Sequence, residues 1–198
     1  MNVKEALNDL RAIRSQLVRS EQVTCYRWAT IGFSGVVGVM AAFFQPLFLN
    51  DSSRIATDFV GYWMLIATLN MSVIGIEMVS RYAKSSDHAR QQTRLAVLDF
   101  APCLIFGVFL TQTLIYQLPE HCSLVPGLWA LLFGLGVAAS RRRIPGSLIW
   151  VSAWYLLAGL SALKYGEPFA AWKMGIAFGG GQLLTAGLLY PHQKGHHA

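Results

Sequence analysis

The chain has 198 residues, of which 54% are hydrophobic and 13% are charged, and its formal net charge is +6. Soluble domains carry about 25% charged residues, so this composition excludes an ordinary soluble protein. The basic residues lie between long apolar blocks, so membrane topology explains the positive charge better than a nucleic-acid partner does.

Residues 1–27 precede the first apolar block and are predicted to form a cytoplasmic segment. Six apolar residues within residues 2–20 recur at helical spacing, which predicts an amphipathic helix. They are Val3, Ala6, Leu7, Leu10, Ile13 and Leu17. Such a helix either lies on anionic lipid or docks a partner or another subunit. The segment is longer than the n-region of a cleaved signal peptide, so the first apolar block is predicted to be an uncleaved anchor.

Six apolar blocks follow, each close to the roughly 20 residues with which a helix crosses about 30 Å of hydrocarbon. They predict an all-α transmembrane bundle of six spans within residues 28–190, followed by a cytoplasmic tail at 191–198. The predicted spans are 28–49, 59–80, 95–116, 123–139, 147–163 and 170–190. Most prolines lie near the ends of these spans, whereas Pro102 lies inside the third span and is expected to kink it.

The Lys and Arg residues fall mostly on one side of the predicted spans. Of the 16 such residues, those on this side are Lys4, Arg11, Arg14, Arg19, Arg27, Arg81, Lys84, Arg90, Arg94, Arg141, Arg142, Arg143 and Lys194. Only Arg54, Lys164 and Lys173 lie on the other side. Because short cytoplasmic loops are enriched in Lys and Arg, this split predicts an even number of spans with both chain ends in the cytoplasm.

Three spans carry small residues at every fourth position, which lets helices pack closely in lipid. These residues are Ser34, Gly38 and Ala42, then Ala130, Gly134 and Ala138, then Ala171, Gly175 and Gly179. Spans two and five share the pattern Trp-x-Leu-x-Ala-x-Leu, and spans three and six end in LTQTLIY and LTAGLLY. These matches suggest a 3+3 inverted repeat, an architecture common in transporters. The alternative is coincidence among apolar helices.

Four polar residues within the spans are candidates for binding an ion or a substrate. They are Glu77, Asp99, Asn70 and Gln182, the last of which follows three consecutive glycines. Structural roles are the alternative. Glu77 is spaced i, i+4 from Arg81 and can form an ion pair with it, Asp99 can pair with an arginine of residues 141–143, and the two amides can hydrogen-bond between helices.

No catalytic or metal-binding motif is apparent. None of the five histidines lies within a span, which argues against a membrane haem and against a Ser–His hydrolase. Cys25, Cys103 and Cys122 are far apart in sequence and are interpreted as free thiols. The sequence therefore predicts no cofactor, no metal site and no enzymatic activity.

The segment PGLWALLFGLGVAASRRRIP at 126–145, with WVSAWYLLAGL, FGGGQLL and the N-terminal LNDLRAIRSQL, resembles a family of small, functionally uncharacterised bacterial inner-membrane proteins with about six transmembrane helices. The resemblance implies a multi-pass protein of the bacterial inner membrane and no particular mechanism.

Two functions are compatible with these features. The first is a non-enzymatic component of a membrane complex, or a regulatory membrane protein, that binds a partner or a second copy of itself through the small-residue faces or the N-terminal helix. The second is a small transporter, or the substrate-binding subunit of one, with a polar site at Glu77, Asp99 and Gln182.

Overall fold

The computed structural model describes residues 27–49, 55–142, 144–165 and 167–194, with side chains as far as Pro191. The predicted N-terminal amphipathic helix, Cys25 and the last four residues lie outside the described residues. Within the described ranges the regular secondary structure is entirely helical. The all-α prediction is therefore confirmed.

The helices follow the predicted order of spans. They are α1 (Trp28–Phe48), α2 (Ile55–Lys84), α3 (Asp87–Gln117), α4 (Val125–Ala139), α5 (Ile149–Lys164), α6 (Ala171–Met174) and α7 (Gly181–Lys194), with a π-helical segment (Gly175–Gly180) between the last two. Short 3-10 turns flank α4 and precede α5. Five stretches of the described chain are long and apolar enough to cross a membrane. The sixth predicted span corresponds to α6, the π-helical segment and α7 together.

Helices α2 and α3 extend beyond the predicted spans into the basic loop that joins them. Charged side chains are good helix formers once they lie outside hydrocarbon, and the Ser86 hydroxyl caps α3 by accepting a hydrogen bond from the Ala89 amide over 3.3 Å. Helix α3 is continuous across Pro102. Helix α7 likewise continues three residues past Pro191. A proline near a helix end removes only one backbone hydrogen bond there.

The helix ends that carry the basic residues lie together. The rings of Trp28, at the start of α1, and Tyr190, near the end of α7, are 5.0 Å apart. After α4, the Ser140 hydroxyl donates to the Ala96 carbonyl of α3 over 3.2 Å. This end of the bundle, called the basic end below, holds Arg27, Arg81, Arg94 and Arg141. The first helix therefore begins, and the last one ends, at the same end of the bundle.

The predicted small residues lie where helix backbones approach each other. A Cβ atom placed on Gly38 would lie 3.2 Å from the Cα of Gly179, and one on Gly175 would lie 2.7 Å from the Cβ of Ala42. A Cβ on Gly134 would lie 3.2 Å from the Ser152 carbonyl. Helix α1 thus packs on the π-helical segment and α7, while α4 packs on α5. Ser34 and Ala130 are also buried, and Ala138 and Ala171 are half-buried.

Helix α2 is the least packed part of the described bundle relative to its length. Of its 30 residues, the buried ones are Phe59, Val60 and Trp63, all in its first three turns. The remaining turns, as far as Lys84, bury no residue against the described chain. Most of α2 therefore presents its surface to whatever surrounds the protein in the membrane.

Candidate functional site

Of the two predicted intramembrane acids, Glu77 is held by its neighbours. Its Oε1 lies 3.1 Å from the Nε of Arg81 on the next turn of α2, and the Thr30 hydroxyl of α1 donates to its Oε2. This is the ion pair that the sequence allowed as the alternative to a binding site. The carboxylate is charge-balanced and joins α1 to α2 at the basic end.

The other three predicted polar residues are not gathered around Glu77. The Nδ2 of Asn70 donates to the Ile66 carbonyl of its own helix over 3.1 Å. Asp99 is half-buried on α3 and has an interaction partner. Gln182 is half-buried on α7, which packs mainly on α1 and not on α2 or α3. Within the described ranges no three His, Cys, Asp or Glu side chains lie close enough to hold a metal, and Cys103 and Cys122 are free thiols.

Sequence reasoning missed Gln45, a buried polar residue whose side chain makes two hydrogen bonds to other parts of the bundle. It lies in α1 and is 5% exposed. Its Oε1 accepts a hydrogen bond from the indole nitrogen of Trp63 over 2.8 Å, and its Nε2 donates to the Phe169 carbonyl over 2.8 Å. Phe169 has a φ of 60°, a conformation that favours glycine. Gln45 therefore links α1, α2 and the strained turn before α6 at the end opposite the basic end.

The last predicted span is not a continuous α-helix. Gly175–Gly180 is π-helical, and α-helix resumes at Gly181. The indole nitrogen of Trp154 on α5 donates to the Ile176 carbonyl over 3.0 Å, which satisfies one carbonyl of the segment. A Cβ on Gly181 would lie 2.5 Å from the Cζ of Tyr155, so this aromatic ring packs directly on the backbone. Single π-helical turns are frequent at functional sites.

Tyr155 places a polar group beside the π-helical segment. Its ring is fully buried and lies 4.7 Å from the ring centroid of Phe133 and 5.6 Å from that of Phe178. Among the described residues its hydroxyl has no hydrogen-bond partner. An unsatisfied buried hydroxyl costs about 1–3 kcal/mol. The Tyr155 hydroxyl is therefore open to a water molecule or a small polar ligand inside the bundle.

The Tyr155→Phe variant is expected to be more stable than the wild type by about 1 kcal/mol, because it removes a buried hydroxyl that has no partner. Tyr62→Phe is the matched control. The Tyr62 hydroxyl donates to the Ala41 carbonyl over 2.7 Å, so its loss should lower stability. Thermal unfolding of the purified protein in detergent measures both changes. A Tyr155→Phe variant that loses stability like Tyr62→Phe would show that the Tyr155 hydroxyl is bonded to a water molecule or a ligand.

The side of α2 that faces away from the bundle carries small residues with no neighbours. This surface is called the outer face of α2 and consists of Gly61, Thr68, Ser72 and Gly75. A Cβ on Gly61 or Gly75 would meet no described atom within 4 Å, apart from the local backbone. Within the part of the chain that the structure describes, the hydroxyls of Thr68 and Ser72 bond only to carbonyls one turn earlier, over 2.7 and 2.8 Å. In a helix interior each glycine costs about 1 kcal/mol relative to alanine, and within the described chain no packing contact offsets that cost.

No family model matches this chain, and no match exists among curated proteins or solved structures. The resemblance to the bacterial inner-membrane family therefore stays a prediction.

Proposed function

We propose that this chain is a multi-pass protein of the bacterial inner membrane that serves as a structural or regulatory component of a membrane complex and is not an enzyme. The observation that carries the proposal is the outer face of α2. Its glycines Gly61 and Gly75 leave open space beside a helix of 30 residues that buries only its first three turns. Small residues allow a second transmembrane helix to approach closely. A helix of a partner protein, or of a second copy of this chain, fits this face.

We propose the same orientation in the membrane as the sequence predicts, with both chain ends in the cytoplasm. The basic end of the bundle supports this orientation, because Arg27, Arg81, Arg94 and Arg141 all lie there and cytoplasmic loops are enriched in such residues. The outer face of α2 then spans the membrane from the periplasmic side to the cytoplasmic side.

The Gly75→Leu variant is expected to lose the complex and keep its fold. A Cβ atom at this position meets no described atom within 4 Å apart from the local backbone, and a leucine side chain would fill the space in which the partner helix would pack. Native mass spectrometry after extraction of the full chain from bacterial membranes with a mild detergent measures the assembly. Wild type is expected to give a mass above that of one chain, and Gly75→Leu the mass of one chain.

Gly187→Leu is the matched control, because Gly187 on α7 also has open space around it but lies outside the outer face of α2. It should leave the assembly intact. If wild type has the mass of a single chain, or if the two leucine variants behave alike, the proposed assembly through α2 is wrong.

A second candidate function, a small transporter or its substrate-binding subunit, is favoured by one observation. The π-helical segment Gly175–Gly180 adjoins the Tyr155 hydroxyl inside the bundle, and interrupted helices line substrate sites in several transporter folds. The inverted repeat would belong to this candidate, although α2 and α5, which it would make equivalent, are 30 and 16 residues long. A small molecule that raises the unfolding temperature of the wild type, and not that of Tyr155→Phe, would favour transport over assembly.

A further inference from the structure

A groove of about 310 Å³ lies between α2 and α3 near the basic end. It is lined by Met78, Val79, Tyr82, Thr93, Arg94, Val97 and Leu98. Most of these side chains are apolar, and Val79 is 66% exposed. Arg94 is exposed at the edge of the groove, and its guanidinium has no hydrogen bond or ion pair within the described ranges. The groove is therefore an apolar surface with two positive charges beside it, Arg94 and the guanidinium of Arg90, which lies 5.9 Å from the centroid of the Tyr82 ring.

The groove lies at the level of the membrane interface. Helices α2 and α3 have 30 and 31 residues, which at 1.5 Å per residue is about 45 Å, whereas the hydrocarbon core is about 30 Å thick. Charged residues do not lie in hydrocarbon without a large cost, so the excess length falls at the basic end, where Arg81, Asp87 and Arg94 occur. Lipid tails therefore do not fully cover Val79 and Tyr82.

The N-terminal segment of the same chain can reach this groove. The Thr30 hydroxyl contacts Glu77, so the start of α1 lies beside α2 at the turn that precedes the groove. At 100° per residue, Val79 and Tyr82 lie on the far side of α2 from Glu77, and Met78 lies between the two sides. Residues 21–26 can span up to about 20 Å when extended, which exceeds the 10–12 Å diameter of a helix.

We propose that residues 2–20 bind in this groove of their own chain, with the apolar stripe around Leu7, Leu10 and Ile13 against α2 and α3. Amphipathic helices lie at the boundary between headgroups and acyl chains, which is the level of the groove. The segment carries four basic residues (Lys4, Arg11, Arg14 and Arg19) against Glu5 and Asp9, so apolar contact with the stripe, and not charge, would hold it in the groove. The covalent connection to α1 keeps the segment at a high effective concentration. This inference concerns one chain and does not depend on the proposed assembly.

Disulfide formation in membranes tests the proposal with the full chain. The native cysteines are replaced (Cys25→Ser, Cys103→Ser and Cys122→Ser), and Leu10→Cys is combined with Val97→Cys. Oxidation is expected to join the two cysteines within one chain, which gives a monomer of altered mobility on a non-reducing gel. Ser15→Cys with Val97→Cys is the matched control, because residue 15 lies on the opposite side of the predicted helix from Leu10, and it should remain reduced.

A cross-linked dimer would overturn the proposal and identify a second copy as the occupant of the groove. Absence of any disulfide in the Leu10→Cys variant would also overturn it and favour a segment that lies on lipid. A second measurement covers the case in which the double variants fold poorly. Deletion of residues 2–20 should speed the reaction of Val97→Cys with a water-soluble maleimide by on the order of tenfold, and an unchanged rate would contradict the proposal.

Discussion

Gly179→Leu is expected to destabilise the bundle by at least about 3 kcal/mol, or by on the order of 10 °C in unfolding temperature. A Cβ on Gly179 would lie 2.7 Å from the Cγ2 of Val39 and 2.9 Å from the backbone nitrogen of Val39. The side chain of Val39 can rotate away, but its backbone cannot move unless α1 separates from the π-helical segment. The loss of this contact would affect the whole interface of α1, because a Cβ on Gly38 would also lie only 3.2 Å from the Cα of Gly179.

The unfolding temperature in detergent, together with the size-exclusion profile, measures the effect. Gly187→Leu again serves as the control, since it adds the same side chain to the same end of the chain, eight residues further on, where there is open space. It should unfold within about 2 °C of the wild type, because an exposed substitution changes stability by less than about 0.5 kcal/mol. Equal effects of the two leucines would mean that α1 and the π-helical segment are not in close contact.

Gln45→Leu is expected to lower stability by about 2–4 kcal/mol. The variant removes one acceptor and one donor, so the indole nitrogen of Trp63 and the carbonyl of Phe169 would both lose their 2.8 Å hydrogen bonds. Each buried group left unsatisfied costs about 1–3 kcal/mol. Leucine has a similar volume, so lost packing contributes little. Chemical or thermal unfolding in detergent measures the change.

Asn70→Leu provides the comparison for this second prediction. Among the described residues the Asn70 amide bonds only to the Ile66 carbonyl of its own helix, so its loss should cost less than about 1 kcal/mol. A double-mutant cycle of Gln45→Leu with Trp63→Phe should show a coupling energy of about 1 kcal/mol. If the effects of the two substitutions simply add, the hydrogen bond between Gln45 and Trp63 does not contribute to stability.

The positions of the helices could be predicted because the length and hydrophobicity of each apolar block are read directly from the sequence. Apolar blocks that end at clusters of Arg predict where helices cross the membrane. The small residues Gly38, Gly134 and Gly175 predict which helix surfaces pack against another helix. The helix pairs themselves could not be predicted. The small-residue surface of each of the three spans could pack against several other helices of the chain, and only the three-dimensional structure pairs Gly38 with Gly179.

The candidate site was harder to predict, for a physical reason. Charged residues such as Glu77 attract notice because charge is costly in hydrocarbon, yet the local pair with Arg81 removes that cost. Gln45 and Tyr155 are uncharged, and nothing in the sequence distinguishes them from the amides and tyrosines at exposed positions. The one available signal was a lone glutamine directly before Pro46 within an otherwise apolar block. Three consecutive glycines weaken a helix, and two of them, Gly179 and Gly180, lie in the π-helical segment.

The contact between Trp28 and Tyr190 has a practical consequence for protein engineering. Because these rings lie 5.0 Å apart at one end of the bundle, the first and last helices can be joined by a short linker without an additional membrane crossing. The two-residue turn at Ser85 and Ser86 then offers a site for new termini on the same side of the membrane. A circular permutant of this design would start at α3 and keep the pairing of α1 with α7 as a covalent helical hairpin.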